Sequence, residues 1–188
     1  MMKTTRTKGK DVTELGLGGY ADDWPAEGHY QFYVGGIEVQ PEKLPNMIII
    51  NLEVITGEVP GQEGKKPDLL LWYDPEHEKW SQDAMDRVWK FFWACGLYEE
   101  DNLEPSFEPA DAVGKNFIGK VGKVKRKKSK TDPTKIEVIQ MEEGKYWPIG
   151  HKDVEGLVKV DEDLVKKGLE KKPTEAASSD AEDDLDDI

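Results

Sequence analysis

The feature that most constrains the fold is a pair of segments with alternating polarity, residues 30–39 and 47–55. In the first, Tyr30, Phe32 and Val34 alternate with more polar side chains until two adjacent glycines interrupt the pattern. In the second, large aliphatic residues recur at every second position. Such alternation predicts strands with one buried face, and paired glycines within a strand indicate a bulge or a sharp bend. We therefore predict a bent β-hairpin, from which a small, curled sheet can be built.

The later segments complete a recognisable order of elements. Residues 68–73 predict a third strand, and residues 113–126 and 135–141 predict a second hairpin. Between the third and fourth strands we predict a helix that ends at Gly96, a residue suited to a left-handed helix terminus. Its apolar positions at helical spacing are Ala84, Met85, Val88, Trp89, Phe92 and Cys95. This order predicts a mainly β protein, a five-stranded OB-fold barrel with one helix between strands 3 and 4.

Composition divides the chain into four parts. We predict a flexible N-terminal arm at residues 1–23, an OB-fold domain at 24–150 and a short helical or extended linker at 151–172. Residues 173–188 are dominated by alanine, serine, aspartate and glutamate, which cannot bury enough apolar area to order themselves. They are therefore predicted to form a disordered acidic tail.

The net charge of −13 argues at first against a nucleic-acid partner, but its distribution changes that interpretation. Residues 173–188 carry seven acids and no base, whereas residues 120–135 carry eight bases and one acid. Lysine and arginine bind phosphate backbones through counterion release, so the basic hairpin predicts a nucleic-acid contact. The alternative is a solvated hairpin tip without a partner. The predicted contacts are Lys123, Lys125, Arg126, Lys127, Lys128 and Lys130.

Exposed aromatic rings would complete such a site, because unstacked bases pack on aromatic faces. The candidates are Tyr33, Trp72, Tyr73 and Trp147, which lie on or next to predicted strands. For each ring the alternative is ordinary core packing.

Several other classes are disfavoured. The single cysteine excludes an intramolecular disulfide framework, and three scattered histidines offer no metal-ligand spacing. No apolar run approaches the roughly 18 residues of a membrane span. Asp68, Glu76 and Glu78 invite comparison with a metal-dependent nuclease, but the acid–x–Lys spacing fails because residue 77 is histidine. We therefore predict a protein with no enzymatic activity, no catalytic residues, no cofactor, no metal and no membrane partner.

The tail forms a second candidate site. Its last residues combine a hydrophobic anchor, flanking acids and a terminal carboxylate, which suits a partner pocket rimmed with bases. The residues are Asp183, Asp184, Leu185, Asp186, Asp187 and Ile188. Two alternatives remain, a solubilising appendage and a segment that folds back on the basic hairpin and competes with nucleic acid.

Four short motifs together resemble those of phage-encoded single-stranded DNA-binding proteins of the OB-fold type, over roughly residues 24–141. They are Pro25-Ala26-Glu27-Gly28-His29-Tyr30, Glu53-Val54-Ile55-Thr56-Gly57, Phe92-Trp93-Ala94-Cys95-Gly96-Leu97 and Asp111-Ala112-Val113-Gly114-Lys115. The resemblance implies sequence-independent binding of single-stranded DNA in phage replication or recombination, in the cytoplasm of an infected bacterial host. The tail is similar to the acidic tips that recruit replication proteins. It ends in Ile188, where the bacterial proteins end in Pro-Phe.

Two rival functions stay open at this point. The first is a protein-interaction module or DNA mimic, and the second is a metal-dependent nuclease accessory that uses Asp68, Glu76 or Glu78. The sequence also leaves open the choice between DNA and RNA, and whether the protein is a homodimer.

Overall fold

The computed structural model describes residues 22–73, 82–128 and 131–170, and every structural statement below concerns those residues. They form five β-strands, two α-helices and two short 3-10 turns. In chain order these are β1 (Gly28–Val39), β2 (Met47–Gly57), β3 (Asp68–Trp72), α1 (Gln82–Ala94), a turn at Pro109–Ala112, β4 (Asn116–Lys127), β5 (Lys135–Trp147), a turn at Lys152–Val154 and α2 (Glu162–Glu170). The predicted mainly β class, and the helix between the third and fourth strands, are confirmed.

The strands form one antiparallel sheet in the order β3-β2-β1-β4-β5. The prediction of a closed barrel is wrong, because β3 and β5 are the two unpaired edges of the described sheet. Helix α1 stands between these edges. The Tyr146 hydroxyl of β5 donates to the carbonyl of Arg87 in α1 at 2.9 Å, and Arg87 forms an ion pair with Glu143 at 3.1 Å. The helix also contacts β3, so it lies across the gap that backbone hydrogen bonds between the two edge strands would have closed.

The core lies on one face of the sheet, and the alternation in β1 predicted that face correctly. Tyr30, Phe32 and Val34 are fully buried there. The pairing of β1 with β2 shifts register between Gln31 and Phe32 and again between Val34 and Gly36, which confirms the predicted bend. Bulges of this kind increase the local twist, so the sheet curls around its core.

Helix α1 closes the core through an apolar face. Phe91 packs edge-on against the rings of Phe117 and Tyr146, with centroids 5.4 and 6.1 Å away. Helix α1 ends at Ala94, and Gly96 terminates it as predicted, since its φ of +74° favours glycine. The Gly96 N–H donates to the Trp93 carbonyl at 2.8 Å, and the Leu97 N–H donates to the Phe92 carbonyl at 3.1 Å. This pair of bonds is a Schellman motif, and it satisfies carbonyls that the helix leaves free.

The opposite side of the sheet, here called the outer face, is partly covered by the C-terminal elements. Ile118 of β4 forms a second small core with Val154 and Val158. Gln31 is buried under the same segment: its side-chain oxygen accepts from the Asp161 N–H at 2.7 Å, and its amide donates to Asn116 Oδ1 at 3.0 Å. A buried amide satisfied on both sides holds this segment on the sheet.

Glu58 ties the end of β2 to the start of β1. Its Oε2 accepts from the His29 backbone N–H at 2.6 Å and lies 2.7 Å from His29 Nδ1. Burial opposes ionisation of this carboxyl. The His29 hydrogen bonds, together with the charges of His29 and Lys120, outweigh burial and lower the pKa of Glu58.

Candidate nucleic-acid interface

A two-stranded ribbon, here called the basic arm, extends beyond the body of the sheet. Strand β4 pairs with β1 only as far as Val121, whereas it pairs with β5 as far as Lys127. The arm therefore consists of residues 122–127 and 135–140. Because side chains alternate across a strand, Lys123, Lys125 and Lys127 share one face of the arm. Lys135 and Glu137 lie on the same face of β5, opposite Lys127 and Lys125 respectively.

Two of the predicted phosphate contacts already have anionic neighbours. Lys123 Nζ lies 3.8 Å from Glu27 Oε1 and 3.7 Å from Glu137 Oε1. Arg126, on the other face of the arm, donates to Asp22 Oδ2 at 3.1 Å and to Gln140 Oε1 at 3.2 Å. These two cations are partly neutralised within the protein, and a phosphate would have to compete for them.

Four other bases of the arm and its turn are exposed: Lys125, Lys127, Lys128 and Lys135. Within the described ranges, none of them has a carboxylate within the 4.0 Å of an ion pair. Lys127 and Lys135 are directly opposite each other across the ribbon. Like charges in that position are destabilising. Lys125, by contrast, lies opposite Glu137, and the hydrogen bonds of Thr134 together with the charge of Lys128 lower the pKa of Asp132. Among the described residues, the positive charge without an acidic neighbour is thus concentrated at Lys127 and Lys135.

Lys135 is a residue that the sequence-based site omitted. It lies at the start of the predicted strand 135–141, but its pairing with Lys127 depends on the register of β4 with β5. A predicted hairpin with its turn centred between residues 127 and 135 would have placed Lys135 opposite Lys127.

The aromatic candidates have different environments. Trp72, at the end of β3, is 48% exposed and lies opposite Met47. Tyr73 packs against the main core, and its burial, reinforced by the charge of Glu108, raises the pKa of its hydroxyl. Tyr33 is half-buried on the outer face, where it pairs with Glu53 of β2. Of these three rings, Trp72 offers the largest exposed face.

Trp147 belongs to a different neighbourhood. It packs against the second small core, its ring centroid is 6.0 Å from that of His29, and Lys90 Nζ lies 5.9 Å above its ring. Its partner on β4 is Ile118, seven residues before Lys125. At the usual rise of a strand this separates Trp147 from the lysine face of the arm by roughly 20 Å.

Trp72 and the basic arm lie towards opposite ends of β1. Trp72 pairs with Met47 of β2, and the next residue of β2, Ile48, pairs with Val39 at the end of β1. The arm begins beyond Gly28, at the start of β1. These two ends of β1 are roughly 35 Å apart at the usual rise of a strand. Trp72 lies on the outer face, whereas Lys123 pairs with Ile139, which packs against the main core, so by alternation the lysine face of the arm continues the core side of the sheet. A ligand that contacts both must therefore pass from one side of the sheet to the other. The floor next to Trp72 is the outer face of β1 and β2. That floor is mixed in charge: Asn51 donates to Asp68 Oδ1 at 2.8 Å, and Glu53 lies 3.7 Å from Lys66 Nζ.

Several predicted residues fall outside the described part of the chain. These are Lys130, the tail residues 183–188, and the acids Glu76 and Glu78 of the nuclease alternative. Most of the predicted N-terminal arm and the whole predicted tail also fall there.

Other chemistry finds little support in the described ranges. They contain no group of three or more His, Cys, Asp or Glu side chains placed to hold a metal ion. Cys95 is buried, which raises the pKa of its thiol and disfavours the nucleophilic thiolate. No helix in the same ranges is long and apolar enough to cross a membrane.

Comparisons with known protein families, with curated proteins and with solved structures give no match to this chain. The resemblance to phage single-stranded DNA-binding proteins therefore stays a prediction from the motifs in the sequence.

Proposed function

We propose that this protein is an OB-fold protein that binds single-stranded DNA without sequence preference. The strand order supports the fold assignment, since five antiparallel strands with a helix between the third and fourth follow the OB-fold order even though the edges do not pair. The phage replication or recombination context rests on the sequence motifs alone.

The observation that carries the proposal is the pair of exposed lysines, Lys127 and Lys135, that face each other at the end of the basic arm. A solvated hairpin tip has no need to place Lys127 directly opposite Lys135, an arrangement that weakens the ribbon. A polyanion removes that repulsion on binding, because its phosphates lie between the ammonium groups and release their counterions. The overall charge of −13 makes this local concentration of lysines more informative, since it runs against the rest of the chain.

In the proposed complex, phosphates contact Lys125, Lys127, Lys128 and Lys135, and one base stacks on the exposed face of Trp72. Base–aromatic stacking contributes about 1–3 kcal/mol per base and tolerates every base, which accounts for binding without sequence preference. A duplex hides its base faces from such a ring, so the arrangement favours single strands. The carboxylates of Glu53 and Asp68 would repel phosphates from the floor, where base amino groups are better neighbours.

The acidic tail is proposed to recruit replication or recombination proteins. Its seven acids would also compete with DNA for the basic arm, so that access to the arm depends on whether a partner holds the tail.

The proposal is tested by titrating the full-length protein with poly(dT) and recording tryptophan fluorescence together with the anisotropy of a labelled oligo(dT). We expect saturable binding and quenching of fluorescence. Trp72→Phe should lose most of the quenching, because the indole that stacks is removed while a ring remains. Trp89→Phe is the matched control: Trp89 is 40% exposed but lies on α1, so its replacement should leave the quenching intact.

Absence of any change in anisotropy at low salt would contradict the proposal. The nuclease alternative is tested in the same samples with added magnesium or manganese, where cleavage of the labelled strand would favour it.

A further inference from the structure

A wide groove lies between α1, the loop that follows it and the residues after β5. Its lining includes Trp89 and Trp93 from the helix, Leu103 from the loop, and Trp147 and His151 from the C-terminal side. The volume of the groove is about 1070 Å³. It is open to solvent along one side, where Leu103 is 91% exposed and Trp89 is 40% exposed. Three indole rings in one concave surface are a strong signal for binding, since tryptophan is enriched in the energetic centres of interfaces.

The aromatic wall is held in place before any ligand arrives. The Tyr98 hydroxyl donates to the Trp89 carbonyl at 2.7 Å, and the Tyr98 ring stacks on Phe107 with an interplanar angle of 2°. Trp89 packs edge-on against both of these rings, with centroids 6.0 and 5.7 Å away. Trp93 packs edge-on against His151 at 5.4 Å. A preformed surface loses little conformational entropy on binding.

The charge of the groove identifies the class of ligand. Four carboxylates line it, from Asp86, Glu100, Glu104 and Asp153, against one ammonium, that of Lys90. Nucleic acid is disfavoured here despite the aromatic rings, because its phosphates would meet acids. A cation is favoured twice, by the carboxylates and by the ring faces, and Lys90 already lies 5.9 Å above the Trp147 ring.

We propose that this groove binds a peptide segment of a partner protein in which arginine or lysine alternates with aliphatic residues. The aliphatic side chains would pack on Trp89, Trp93 and Leu103, and the cations would pair with Glu100 and Glu104. The proposal is independent of DNA binding, since the groove shares no residue with the exposed lysines of the basic arm or with Trp72.

The test uses the full-length protein and a short fluorescein-labelled peptide that alternates arginine with leucine. We expect saturable binding with one peptide per chain, and none for the matched peptide that carries glutamate in place of arginine. Glu100→Gln combined with Glu104→Gln should weaken binding about three- to tenfold, as expected for two exposed ion pairs. Trp89→Ala should weaken it about thirtyfold, the loss typical of an aromatic hot spot.

The charge variant keeps the test decisive if Trp89→Ala fails to fold. Both glutamates are exposed, and within the described ranges neither side chain makes an ion pair or hydrogen bond that its replacement would break. Glu42→Gln combined with Glu155→Gln is the matched control, because it removes two exposed acids elsewhere and should leave affinity unchanged.

Three results would overturn the proposal. Equal affinity of the groove variant and the unmodified protein would assign the peptide to another acidic surface, such as the tail. Binding of the glutamate peptide would remove the charge argument. A dimer in sedimentation velocity that dissociates in the groove variant would assign the groove to a second copy of this chain.

Discussion

Replacement of Lys127 and Lys135 with glutamine should change stability and DNA affinity in opposite directions. The two ammonium groups face each other across the basic arm, and like charges at such a position cost about 0.2–1 kcal/mol. Because both side chains are exposed, the lower end of that range applies, and the free energy of unfolding should rise by about 0.2–0.5 kcal/mol.

The effect on binding follows from counterion release. Each phosphate contact on a single strand contributes about −0.7 to the slope of log K against log salt, so loss of two contacts halves a slope of roughly −3. Taking about 1 M salt as the point where this contribution vanishes, the same loss weakens binding about 25-fold at about 0.1 M salt.

The assay combines anisotropy of labelled oligo(dT) across a salt series with urea unfolding of the same variants. Lys120→Gln is the matched control, because Lys120 also lies on β4 but forms an ion pair with Glu142 at 2.9 Å. It should lose a little stability and keep the salt slope. An unchanged slope in the double variant, or a loss of stability, would refute the assignment of the arm as the phosphate-binding element.

Three further predictions concern the hairpin and the tail. Gly57→Ala should lower the free energy of unfolding by about 1–3 kcal/mol, because the added Cβ would overlap a buried tyrosine ring. The control in thermal unfolding is Gly35→Ala, whose Cβ would meet nothing closer than 3.7 Å. Equal melting temperatures of the two variants would contradict the packing argument. Because folding lowers the pKa of Glu58, its ionised carboxylate stabilises the fold at pH values above the ordinary pKa of 4.5. This stabilisation is lost as the pH falls through the lowered pKa. The difference in melting temperature between the unmodified protein and Glu58→Gln should therefore shrink at acidic pH, and a constant difference would show that the contact with His29 does not depend on charge. Removal of residues 173–188 should tighten oligo(dT) binding and weaken recruitment of partners, and weaker DNA binding by the truncated protein would refute competition by the tail.

Local patterns predicted the fold well where a single strand or helix decides the outcome. The alternation of Tyr30, Phe32 and Val34 identified the core face of β1, and Gly96 marked the end of α1. Both depend on residues adjacent in sequence, so periodicity and helix-capping rules suffice.

Features that depend on distant segments were not predictable in the same way. Gln31 looked solvent-facing by alternation, yet Asp161, 130 residues away, covers it. The gap between β3 and β5 was unforeseen because the contact of Tyr146 with Arg87 joins elements far apart in the chain. Barrel closure depends on such tertiary packing and not on the order of the strands.

The candidate site shows the same limit. The concentration of lysines was visible in the sequence. It did not show that Lys123 forms ion pairs and Lys125 does not, because that difference depends on Glu27 and on the strand register. Trp89 and Trp93 both precede the predicted helix end at Gly96, and Trp89 was assigned to the apolar face of that helix. Their spacing could not reveal that they border a groove, because its other wall, including Trp147, comes from the end of β5.

The salt dependence of oligo(dT) binding by the unmodified, full-length protein tests the central claim most directly. Four phosphate contacts on the basic arm and its turn predict a straight line of log K against log salt with a slope of roughly −3. A flat line, or no binding at low salt, would contradict the account.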